Sequence, residues 1–278
     1  MRLETKTVTI LMCVALALSA CSKKTITPAE DPQPAEVGFT ALSQIPTKAT
    51  TPLTTDFGVW GIARQEGNTT PYILWLSNLE QITKQGDYYK PAAGNDAYWL
   101  KNYTYHFLAL APYTGLGADV TATQATSTSQ DQLTFTYDFS QKYAATNTQD
   151  LDFDLMGAAA KTSVTTTKPE YQSLVFWHLF SKICISVNFV NTEGTVDEIR
   201  LSNVVTKGDY VISLDEVNDF DTPLSVTCTP STEAADKISA QAPLALNSGN
   251  KDQGATTPQW ILHVIPQVVS GFDMYIDF

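Results

Sequence analysis

The chain has 278 residues, of which 43% are hydrophobic, 17% charged and 10% aromatic. This composition excludes a chain disordered throughout, and equally the collagen-like, coiled-coil and multi-span membrane classes. With 17 Lys and Arg against 29 Asp and Glu the formal net charge is −12, so there is no electrostatic footprint for DNA or RNA.

Residues 1–20 read as an export signal. Arg2 and Lys6 make a basic start, and residues 8–18 (VTILMCVALAL) are an apolar run too short to span a bilayer as a helix. The run ends in Leu18-Ser19-Ala20-Cys21, which resembles the lipobox of bacterial lipoproteins. The small Ser19 and Ala20 fit a peptidase cleft, and the thiol of Cys21 takes a diacylglycerol thioether. Acyl chains hold a protein to a membrane because each buried CH₂ contributes about 0.8 kcal/mol. Cleavage before Cys21 removes Arg2, Lys6 and Glu4 and takes the net charge from −12 to −13. Cys184 and Cys228 then remain as thiols, and two readings stand for them: one disulfide, or two separate buried thiols. Residues 21–36, polar and carrying Pro28, Pro32 and Pro34, read as a flexible tether.

From Val37 onward the period is two. Strands are predicted over residues 57–63, 72–76, 103–111, 133–139, 151–156, 174–177, 183–189, 198–201, 210–212, 260–265 and 272–276. Gly-rich turn signals separate them. Residues 121–132 and 161–170, rich in Thr, Ser and Gln, read as surface loops, and the second is the candidate domain boundary. Many short strands with no amphipathic helix predict one or two sandwiches.

Chemistry-bearing motifs are sparse. There is no GxxxxGK[ST], HExxH or GxSxG, and no catalytic residue, metal or cofactor is expected. His106, His178 and His263 are far apart, each in a predicted strand, and read as sheet residues. Asp150, Asp152 and Asp154 alternate on one strand face: a solvated or charged edge, or a Ca²⁺ site with help from a loop. Asp215, Glu216, Asp219 and Asp221 read as a solvated loop. Trp60, Trp75 and Trp99 fill a core, or form a sugar platform if two or more are exposed on one face.

Taken in order, several segments resemble the fimbrillin family, the lipoprotein pilins of type V pili. They are residues 39–49 (FTALSQIPTKA), 56–62 (DFGVWGI), 105–112 (YHFLALAP), 152–157 (DFDLMG), 174–187 (LVFWHLFSKICISV), 199–210 (IRLSNVVTKGDY) and 261–267 (ILHVIPQ). The resemblance implies two tandem transthyretin-like β-sandwich domains, here at residues 37–168 and 169–278. It also implies a lipid-anchored subunit of the outer membrane and cell surface, whose partners are other pilin subunits and a host or bacterial surface ligand. In that family a protease cuts after a basic residue behind the first strand, and the groove left behind accepts a strand from a neighbour. Carried over, Val37, Phe39 and Ala41 are the inward residues of the exchangeable strand, and Lys48 is the processing site. Lys48 stands where many relatives have Arg, which keeps open an anchor or accessory subunit that retains its first strand. The chain stops soon after Pro266-Gln267, so the second sandwich is expected to lack a final strand.

Overall fold

The structure is a computed structural model. It describes residues 35–44, 50–68, 72–92, 94–114, 116, 120–124, 132–138, 154–165, 170–187, 194–232, 238–246, 260–267 and 273–277. Among these residues the fold is all-β. In chain order the strands are β1 (Phe39–Gln44), β2 (Thr50–Pro52), β3 (Phe57–Gln65), β4 (Tyr72–Gln85), β5 (Tyr88–Pro91), β6 (Tyr103–Ala111), β7 (Val120–Gln124), β8 (Gln132–Asp138) and β9 (Met156–Val164). They continue as β10 (Gln172–His178), β11 (Ser181–Ile185), β12 (Gly194–Ser202), β13 (Lys207–Ser213), β14 (Thr227–Pro230), β15 (Ile238–Leu246), β16 (Trp260–Val264) and β17 (Asp273–Asp277).

The largest sheet runs β10-β9-β6-β3-β4-β5-β1-β2, and β1 also pairs with β10. That additional pairing closes seven strands into a ring, with β2 hung on β1. The remaining strands make three smaller sheets: β14-β13-β8-β7, β15-β12-β17 and β11-β16.

Strands β3 and β6 are buried on both faces over most of their length. In β6, Tyr105, Phe107, Ala109 and Ala111 point into the ring. Leu108 and Leu110 point outward and join Trp60 and Ile62 of β3 in a second core. That outer core is completed by Phe135 and Tyr137 of β8, Tyr210 and Ile212 of β13, Ile199 and Leu201 of β12, and Leu262 of β16. A strand covered on both sides needs apolar residues at successive positions, which is why DFGVWGIA and YHFLALA read as continuous runs. By contrast, β8 alternates cleanly: Phe135 and Tyr137 are buried, while Thr134, Thr136 and Asp138 are half-buried.

The first sheet closes into a ring because β1 bonds to neighbours on both sides. The division expected at 168/169 does not follow the sheets: β10 lies beyond it yet completes the ring, and β7 and β8 precede it yet pair with β13. Two segments expected as loops contain strand. The supposed loop at 161–170 begins as strand, since Lys161–Val164 finish β9 with Val164 buried in the ring. Likewise the Thr-rich segment at 121–124 is part of β7, because its backbone pairs antiparallel with β8 and Thr suits a strand. After Pro266-Gln267 the chain forms β17, paired antiparallel with β12.

Gly58 of β3 lies hard against Leu79 of β4. A Cβ there would stand 2.2 Å from Leu79 Cγ. Gly58→Ala is expected to lower stability by about 1–3 kcal/mol through overpacking. A double-mutant cycle with Leu79→Ala, read by urea denaturation, should show coupling that offsets part of that loss.

Candidate functional site

The first strand sits between two neighbours. β1 runs parallel to β10, with Phe39 opposite Gln172, Ala41 opposite Leu174 and Ser43 opposite Phe176. On its other side it runs antiparallel to β2, with Leu42 opposite Pro52 and Gln44 opposite Thr50, and meets β5 at Phe39 and Tyr89. The segment leading in is also tied down. Val37 N donates to Ala97 O at 2.7 Å, Trp99 N donates to Ala35 O at 3.0 Å, and Gln172 N donates to Gly38 O at 2.8 Å. Lys90 Nζ meets Glu36 Oε2 at 2.9 Å, and this hydrogen bond raises the lysine above its ordinary pKa.

Period two then decides which side chains enter the ring. Val37 and Phe39 are fully buried and Ala41 nearly so. The Phe39 ring meets Phe57 edge-on at 6.0 Å between centroids and Phe107 at 5.2 Å. Gly38 faces the other way. A Cβ there would stand 2.8 Å from the Tyr171 ring, which itself stacks on Tyr88 at 3.6 Å. Withdrawing β1 would therefore open a slot with a ladder edge on each side and apolar sockets at alternate positions along its floor.

Phe39→Ala is expected to lower stability by about 3–5 kcal/mol, the range for an emptied aromatic core site. Thr40→Ala, on the opposite face of the same strand, should change the urea midpoint little, by about 0.5 kcal/mol or less.

Cys21, Lys48, Asp150 and Asp152 lie outside the described residues. Trp60 is 2% and Trp99 4% exposed, so neither offers a sugar platform. The side chain of Trp75 lies outside the described residues. Cys184 and Cys228 are both free thiols, the first exposed and the second half-buried.

Asp154 turns inward rather than lining a solvated face. Its Oδ2 lies 2.7 Å from His178 Nδ1, 2.6 Å from Lys182 Nζ and 3.6 Å from His263 Nε2. Sheet topology assembles this group, since His178 ends β10, Lys182 lies in β11 and His263 stands opposite Lys182 on β16. Nothing in the local sequence pairs residues so far apart. Burial alone would raise the Asp154 carboxyl, but the nearby nitrogens of His178, His263 and Lys182 outweigh it and hold the group far below the usual carboxylate range. A depressed carboxyl contributes stability that is present above its unfolded value of about 3.9 and is lost as pH falls through the folded value. Asp154→Asn should therefore cost about 2–3 kcal/mol at pH 5. The difference from wild type in urea melts should shrink only well below about pH 4.

A second arrangement, also silent in the sequence, involves the segment between β13 and β14. Strands β9 and β10 form a hairpin whose ladder holds only at its open end: Leu179 N donates to Leu155 O at 2.8 Å, and Gly157 lies opposite Trp177. Beyond that the two strands separate. Asn218, 6% exposed, fills the gap. Its Oδ1 accepts from Ala159 N, its Nδ2 donates to Val175 O, and its own backbone N donates to Ala159 O at 3.3 Å. The acidic residues around it have local work. Asp215 pairs with Lys161 at 2.7 Å, and Asp219 Oδ1 accepts from Asp221 N at 2.9 Å and Thr222 N at 2.8 Å.

The family model described as fimbrillin-like matches residues 40–278, from the second residue of β1 to the end of the chain. The chain belongs to the fimbrillin-like family. Among solved structures, this fimbrillin-like chain is similar to a fimbrial protein from Bacteroides vulgatus, with a TM-score of 0.53 at 13% identity, covering 83% of this chain and 77% of that one. Another similar structure is described as a cell adhesion protein from Bacteroides ovatus, with a TM-score of 0.46 at 12% identity and coverage of 88% and 85%. A third is a fimbrial assembly protein from Parabacteroides distasonis, at 9% identity and a TM-score of 0.32, covering 87% and 85%. No protein of curated function matches the chain. The likeness to the B. vulgatus protein is one of fold. Family membership itself rests on the match over residues 40–278.

Proposed function

We propose that this fimbrillin-like chain is a lipid-anchored structural subunit of a surface pilus or related adhesive assembly, and that it joins its neighbours by giving up β1 and accepting a strand in its place. Cys21 carries the lipid, residues 22–34 are the tether to the outer membrane, and Lys48 is the processing site between β1 and β2. The observation that carries this reading is the position of β1. It opens the folded body, has ladders on both sides, and buries Val37, Phe39 and Ala41 in the ring. A slot that loses such a strand exposes unpaired N–H and C=O groups and empty apolar sockets, and a segment with apolar residues at alternate positions satisfies both. The partner is accordingly another subunit of the same assembly.

Glycan binding through the three Trp residues loses its support, since burial of Trp60 and Trp99 leaves at most one ring for a platform. The remaining alternative is an anchor or accessory subunit that keeps β1.

Limited trypsin treatment of the folded protein, followed by mass spectrometry and size-exclusion chromatography, separates these roles. A polymerising subunit should acquire a new terminus at Ala49, release the fragment ending at Lys48, and form higher oligomers. A chain that resists cleavage at Lys48 and stays monomeric is an anchor, and the polymerising role would be withdrawn.

A further inference from the structure

The gap in the β9–β10 hairpin has a regular geometry. Pairs Leu155/Leu179 and Gly157/Trp177 are two residues apart, and continuing that register brings Ala159 opposite Val175. In an antiparallel ladder, hydrogen-bonded pairs recur at every second residue. An uninterrupted hairpin would therefore bond Ala159 N directly to Val175 O. Here the carboxamide of Asn218 occupies that place, accepting from Ala159 N and donating to Val175 O. One side chain stands in for the missing peptide link. Its segment is braced on both flanks. Trp177 Nε1 donates to Asp219 O at 3.1 Å, and Leu224 packs so close to Gly157 that a Cβ there would stand 2.9 Å from its Cδ2.

β10 is also the strand that β1 pairs with over Phe39–Ser43. On its other side β10 has backbone pairing with β9 only near Trp177 and His178. Once β1 leaves, the backbone from Gln172 to Phe176 would keep one described hydrogen-bond bridge to the ring, that of Asn218 at Val175, beside the inward packing of Leu174 and Phe176. We propose that residues 214–224 are a latch that holds β10 in position while the β1 slot is empty, with Asn218 as its positioning residue, so that the incoming strand of a second subunit meets a preformed edge. This role rests on the reading of β1 as exchangeable.

Two measurements on the full-length chain test it. Hydrogen exchange read by mass spectrometry on uncleaved protein should show β10 amides (Gln172–His178) losing protection at least about tenfold in Asn218→Ala, with β3 unchanged. Asn218→Asp, which keeps the acceptor and loses the donor, should fall between. Should Asn218→Ala fail to fold, Trp177→Phe removes the bond to Asp219 O alone and should loosen β10 in the same direction. Unchanged β10 protection in every folded variant overturns the latch. The second measurement follows uptake of a fluorescent synthetic peptide of residues 35–44 by trypsin-treated protein. Uptake at least about tenfold slower in Asn218→Ala than in wild type supports the latch, and equal uptake overturns it alone. No uptake by wild type overturns the exchangeable-strand reading itself, and the latch role falls with it.

Discussion

Parallel pairing between Phe39–Gln44 and Gln172–His178 turns what would be an open sheet into a ring. Without β1, β10 and β5 would each present an edge, and the cluster of Phe39, Phe57, Phe107 and Phe176 would lose one of its rings. Backbone geometry makes the closure demanding, because a strand inserted between two others must match the ladder of both while placing alternate side chains inward. Val37, Phe39 and Ala41 meet that demand with a large, a very large and a small side chain in succession. The strand that completes the ring is also the one nearest the start of the folded body. It can therefore be removed by a single cut that leaves the remaining chain continuous.

The ring is coupled to the rest of the body through one outer face. Trp60, Ile62, Leu108 and Leu110 share a core with β8, β12, β13 and β16, so β3 and β6 belong energetically to both halves. Burying side chains of this size contributes about 1.5–3 kcal/mol each, which makes this face the rigid part of the ring. The opposite arc, containing β1 and β10, is held differently. Beside the inward packing of Val37, Phe39, Ala41, Leu174 and Phe176, its ties are backbone ladders, the inserted carboxamide of Asn218, and the charged group in which Asp154 gathers His178, Lys182 and His263.

Much of this was legible in the sequence, for physical reasons that differ from strand to strand. The span of β6 was readable to the residue, because YTYHFLALA is apolar over its length and bounded by turn residues. The alternation of β8 was equally plain. The inward set of β1 came from the family resemblance, with Val37, Phe39 and Ala41 alternating along the carried-over strand. Strands built from Thr and Ala were missed, as at β7 and at β9 beyond Met156, because composition there resembles a loop until a partner strand covers it. Ring closure could not be read, since it depends on β1 finding β10 more than 120 residues away. The same holds for Asp154 and Asn218. Their roles arise from the register of strands remote in sequence, and neither residue type at its own position signals them.

Whether β1 really leaves is open to a direct covalent test. Ala41 and Leu174 face each other across the β1–β10 ladder, both buried, so cysteines at these positions can lock the strand in place. The pair should be introduced together with Cys184→Ser and Cys228→Ser and followed by light scattering after trypsin treatment, before and after reduction. If exchange of β1 drives assembly, the oxidised protein stays monomeric and assembles once the disulfide is reduced. Assembly of the oxidised protein to the same extent and at the same rate would contradict a mechanism in which β1 is replaced.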